Sequence, residues 1–179
     1  MMDRKSNLTK AIVILLVLCC SQLYGEERNL RAIMHWEGQG SIHAIGKNQM
    51  LFQGVMEGII YVENEKGDLD GAFAECPITQ KINSETGEST ATGYCQITVA
   101  ADDVIYAELD CKGVAGDCKG YFRLVEGLGR FKGIKGGSDL RIRSVLGQLV
   151  AGMASGSILR SGEGIALLPN LKINLPDRH

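Results

Sequence analysis

The sequence is poor in proline, with three residues in 179, and in histidine, also three; it has a single tryptophan and no surplus of either charge, 19 Lys+Arg standing against 21 Asp+Glu. The charge balance excludes a strongly basic chain that neutralises phosphates, so no nucleic-acid partner is expected. An apolar fraction of 45% excludes a disordered polyelectrolyte. Long apolar runs are missing as well. The longest, residues 11–20 (AIVILLVLCC), has ten residues where a membrane-spanning helix needs roughly 20. No window of eleven or more residues carries helical spacing, and no Walker loop, G-x-S-x-G elbow or C-x-x-C pair occurs. Those gaps remove the usual signatures of nucleotide hydrolysis, serine esterase chemistry and structural zinc.

Glycine is what the chain has in excess, 23 of 179 residues, about 13% against an ordinary ~7%. Many tight turns are expected. Ahead of them, Arg4, Lys5 and Lys10 precede the ten-residue apolar run, so residues 1–25 read as a secretory signal cut after Gly25, with Ser21 as the second choice. Cys19 and Cys20 raise lipoprotein anchoring as a rival, but neither has the small residue before it that lipidation normally wants. The expected address is the periplasm or the exterior, without a stable membrane span. Removal of residues 1–25 takes away three cations and one anion, leaving 16 Lys+Arg and 20 Asp+Glu, a net charge of −4.

Residues 26–179 then form one domain, and its pattern has period two. Leu30, Ala32, Met34 and Trp36 alternate with Arg31, Ile33, His35 and Glu37. In residues 49–63, Met56, Ile60 and Val62 alternate with Glu57, Tyr61 and Glu63. Further strands are expected over 69–82, 88–100, 104–111, 118–125, 130–145 and 164–175, with turns at 64–67, 83–87, 101–103 and 112–117. Residues 146–163 alternate poorly and read as a strand with an irregular connection. Eight antiparallel strands joined by short hairpins hide their edges best in a closed barrel; a two-sheet β-sandwich is the alternative. An eight-stranded barrel is wide enough inside for side chains or one small ligand.

Four cysteines remain after the signal: Cys76, Cys95, Cys111 and Cys118. In an exported chain an even number points to disulfides, and hairpin geometry selects Cys76–Cys95 across the 83–87 turn and Cys111–Cys118 across a six-residue loop. His35-Trp36-Glu37 matches the H-x-E half of a zinc deaminase signature, but its P-C-x-x-C half is absent. His35 and Glu37 become an acid–base pair only if the polar row of their strand points into the barrel, and they are the only catalytic candidates. His43 and His179 add no metal spacing, and no cofactor or metal is expected. The recurring aromatics Trp36, Phe52, Tyr61, Phe73, Tyr94, Tyr106, Phe122 and Phe131 are assigned to core packing.

Gly127-Leu128-Gly129-Arg130-Phe131-Lys132-Gly133, continuing to Gly136, is not a phosphate loop, because its spacing is G-x-G-x-x-x-G and no strand–helix unit surrounds it. The segment Glu126 to Gly136, together with Cys111-Lys112-Gly113 and Cys118-Lys119-Gly120, resembles the glycine hairpin and the C-x-G…C-x-G stretch of the allene oxide cyclase-like barrels, related in architecture to the dirigent proteins. The likeness spans roughly residues 70–175. It implies an eight-stranded antiparallel barrel with a cavity for an apolar molecule, and it raises a homo-oligomer, as among plant members. It supplies no catalytic residue. Three functions follow as expectations: a non-enzymatic exported barrel that binds a small apolar or amphipathic ligand, a structural or partner-binding module of the cell envelope, and an isomerase or cyclase of the resembling kind.

Overall fold

The computed structural model describes residues 26–63, 69–145 and 159–176. Residues 1–25, which were read as a signal, the 64–67 turn, most of the 146–163 stretch and His179 lie outside the described residues. Eight strands follow in chain order: β1 (Glu26–Gly46), β2 (Gln49–Val62), β3 (Ala72–Asn83), β4 (Glu88–Ala100), β5 (Asp103–Val114), β6 (Asp117–Gly127), β7 (Lys135–Ser144) and β8 (Leu159–Leu175). Each pairs antiparallel with the next, and β8 pairs with β1, so the sheet closes as a barrel. Closure displaces the sandwich alternative and leaves no strand edge among the eight open to another chain.

Alternation decides which residues fill the barrel. Leu30, Ala32, Met34 and Trp36 are buried, as are Met56, Ile60 and Val62 on β2 and Leu140 and Ile142 on β7. Both expected disulfides form from inward positions. Cys76 on β3 faces Cys95 on β4 with their Cα atoms 4.1 Å apart, and Cys111 on β5 meets Cys118 on β6 at 5.6 Å.

Several boundaries differ from the sequence expectation. Lys112, Gly113 and Val114 continue β5, so its turn shrinks to Ala115 and Gly116; Gly116 adopts a φ of 87°, open to glycine at little cost. Strand β7 starts at Lys135 rather than at residue 130, because Gly129–Phe131 form a 3-10 turn between Gly129 at φ 59° and Gly133 at φ 81°. Strand β8 begins at Leu159, five residues before the apolar alternation becomes clear. Leu69 precedes β3 instead of opening it and is turned into the core.

The 3-10 turn closes one end of the barrel. Phe131, Ile134 and Leu69 are almost wholly buried there, beside Ile105 and Leu171. Backbone bonds hold the plug: Leu128 N donates to Val104 O at 2.8 Å and Ile134 N to Phe131 O at 2.9 Å. Asp103 ties it to β5 by accepting from Arg130 N at 2.9 Å and pairing with Arg130 Nε at 2.9 Å, while the guanidinium lies 5.2 Å from the Phe131 ring centre. The glycine segment is thus a stopper at one end of the barrel.

Candidate functional site

The other end is where β1, β3, β5 and β7 finish and β2, β4, β6 and β8 begin, and among the described residues nothing plugs it as the 3-10 turn plugs the first. A cavity of about 60 Å³ lies in this mouth. Its apolar floor comes from Trp36, Phe52, Met56, Ile78 and Ile142, and its polar lining from Gln80, Asp117, Ser144 and Glu163. Further in, a void of about 20 Å³ lies between side chains that include Met34, Met56, Cys76, Cys95 and Phe122. For comparison, an apolar cavity of roughly 150 Å³ takes up one benzene molecule. The mouth therefore admits one end of a molecule, and the barrel centre is full.

Glycines in the inward row make the mouth. Trp36 on β1 is paired with Gly58 on β2 and Gly164 on β8. A Cβ on Gly164 would stand 2.6 Å from Cζ2 and 2.8 Å from Cε2 of the indole, and one on Gly38 would stand 3.3 Å from Cζ3. Phe52 is cradled likewise, since a Cβ on Gly40 or Gly54 would lie 2.5 Å from its ring. The glycine excess read as turns is thus partly an interior feature: positions 38, 40, 54, 58 and 164 share the phase of the buried residues, and their missing side chains let two aromatic rings lie against the backbone. Trp36 is 6% exposed, and its Nε1–H has no hydrogen-bond partner among the described residues.

At the rim, Asp117 accepts two hydrogen bonds from Arg141, from Nε at 3.0 Å and from Nη2 at 2.6 Å. The paired guanidinium, helped by the charges of Arg143 and Lys119, holds the Asp117 carboxyl below the usual aspartate range, against a smaller opposing effect of desolvation, and Asp117 in turn raises Arg141. The rim is polar and the floor apolar, an arrangement that can hold an amphipathic molecule by its apolar end.

His35 and Glu37 are elsewhere. The polar row of β1 points outward, and both side chains are exposed on the outer wall. His35 stands between Ile59 and Ile165 on the flanking strands, and Glu37 between Glu57 and Glu163. Among the described residues no group of three His, Cys, Asp or Glu side chains is placed to hold a metal. Glu57 in turn faces Glu75 on β3, so four adjacent strands carry a row of carboxylates. Beside that row lies an apolar one. Ile33, Ile59, Tyr61 and Phe73 are exposed, with Ile33 facing Tyr61 and Ile59 facing Phe73. Tyr61, Phe73 and, further round, Tyr94 and the half-buried Tyr106 are therefore not core residues, which corrects the assignment made from residue type alone. They share their strand phase with glutamates and glutamine, and the phase prevails.

Among the mouth residues, the sequence singled out Trp36, Phe52 and Met56 as strand positions without joining them. Ile78, Ile142, Ser144 and the glycine cradle were not singled out as a site. The signal was present in the inward glycines, whose meaning depends on which strands become neighbours. Compared with known proteins, the chain matches no family model and no curated sequence.

Proposed function

We propose that this chain is an exported, non-enzymatic β-barrel that takes the apolar end of a small amphipathic molecule into its open mouth. The observation that carries the reading is the glycine-cradled pair Trp36 and Phe52 at the floor of an apolar cavity with a polar rim. Two disulfides fit an oxidising compartment, and the periplasm or the exterior is the address that suits them. The closed eight-stranded meander and the glycine stopper also support placing the chain with the allene oxide cyclase-like barrels, although its central interior is filled by its own side chains.

The test uses the sole tryptophan as a reporter. Titration with a short-chain alkanol or methyl ketone should change Trp36 emission saturably, and native mass spectrometry should show one molecule bound per chain. Gly38→Val would place a branched side chain in the mouth next to Trp36 and Met56. It should abolish uptake while leaving the melting temperature within about 4 °C of the parent, a shift of roughly 1 kcal/mol or less. Uptake that survives this substitution removes the mouth from consideration.

A second reading is favoured by the outer wall, where the exposed row Ile33, Ile59, Tyr61 and Phe73 runs beside the glutamate row. Such a face suits a protein partner that presents cationic side chains next to apolar ones. Under that reading Glu57→Arg blocks capture of the partner and Gly38→Val does not.

A further inference from the structure

We infer that the molecule held in the mouth carries a neutral hydrogen-bond acceptor, a ketone, ester or ether oxygen at its apolar end, and that the indole N–H of Trp36 is the donor that recognises it. The inference rests on the mouth-binding reading and supplies the polar half of it.

Three observations carry it. Trp36 lines the cavity, is more than nine-tenths buried, and leaves its Nε1–H without a partner among the described residues. A buried donor that pairs with nothing destabilises the folded chain, and native proteins contain few of them. Second, the ring cannot readily turn to find a partner within the wall. Gly164 and Gly38 lie against its two ends so closely that even a methyl group on the first would overlap it. The indole is thus held in place where it lines the cavity, and a fixed ring is the preorganisation that a recognition group requires. Third, no cationic side chain is among the described residues that line the cavity; its inward polar groups are the neutral Gln80 and Ser144, and the carboxylates of Asp117 and Glu163 belong to the outward phase of β6 and β8. With no cation to pair it, an anionic ligand head gains nothing there and loses its hydration, whereas a neutral oxygen loses far less. The small volume sets the size: a terminal acceptor with one or two carbons beside it fits in about 60 Å³, with the rest of the chain emerging between the strand ends.

The pair 2-heptanone and 2-methyl-1-heptene isolates the acceptor, because a methylene replaces the carbonyl oxygen and little else changes. With one tryptophan in the chain, a nitrogen–proton correlation spectrum contains a single indole resonance for the full-length protein. The ketone should bind about fivefold to tenfold more tightly than the alkene, the yield of one hydrogen bond to a previously unpaired donor, and should move the indole proton downfield. Trp36→Phe should bring the two affinities together. Equal affinities, or ketone binding that leaves the indole proton unmoved, overturns the inference while leaving mouth binding intact. Failure of both molecules to bind overturns the mouth-binding reading and this inference with it. Should Trp36→Phe fail to fold, the indole shift in the parent protein decides the matter alone.

Discussion

Asn170 shows how one side chain repairs an interrupted ladder. The pairing of β7 with β8 shifts register between Gly137 and Arg141, and Asn170 fills the gap. Its Oδ1 accepts from Ser138 Oγ and Asp139 N, both at 3.0 Å, and its Nδ2 donates to Asp139 Oδ2 at 3.1 Å. Ser138 is 2% exposed, so Asn170→Ala leaves a buried hydroxyl and a backbone N–H without an acceptor. The expected cost is about 1–3 kcal/mol, read as a lower denaturation midpoint at unchanged slope. Asp117 works through charge instead. Its carboxyl is held low in the folded state, first by the Arg141 hydrogen bonds, so its contribution is present above the ordinary aspartate range and is lost as pH falls through the lowered value. Melting curves of the parent and Asp117→Asn should differ at pH 7 and draw together near pH 2. Neither role was legible in the sequence, because both join residues more than 20 positions apart whose pairing depends on strand register.

Among the elements, hairpins were the most legible part of the chain. Cys76 and Cys95 flank a polar turn, and strand alternation places both inward, so the sequence alone carries their pairing, and the two form a disulfide. Removing that bridge by Cys76→Ala with Cys95→Ala should cost about 3 kcal/mol and removing Cys111–Cys118 about 2.5, on chain-entropy grounds; chemical denaturation of the two double variants checks the order. The boundary of β7 was less legible for a local reason. Arg130 and Phe131 alternate polar with apolar as Arg141 and Ile142 do, but in the opposite phase; Gly129 and Gly133 adopt left-handed backbone that a strand does not contain, and Gly129 sits so close to Asp102 and Asp103 that it leaves no room for a Cβ. A hydrophobic pattern reports side-chain phase and is blind to the sign of φ.

For the molecule as a whole, the number of strands and the identity of the inner wall were both legible, because a period of two sorts residues into two faces and only one is apolar enough to be buried. The partition of the inside into a stopper, a packed middle and an open mouth was not legible. It depends on which glycines come to lie beside which rings once the sheet curls. The outer wall has its own collective property. Glu37, Glu57 and Glu75 face one another across three strands with no cation bound to them among the described residues, and like charges directly opposed weaken a sheet. Raising salt from 10 mM to 0.5 M should therefore raise the melting temperature, and Glu57→Gln should raise it by roughly 1–3 °C at low salt and less at high salt. Equal responses of both proteins would show that the row carries no strain.

The seam between β1 and β8 joins Glu26 to Leu175, almost the full length of the described chain. Every other strand can find its neighbour as soon as the next hairpin exists, but the first must wait for the last. Until residue 175 is available, β1 and β7 each present an unsatisfied edge, and the stopper has nothing to seal. Assembly is therefore limited by a closure event of very high sequence separation and should be slow for a chain of this size.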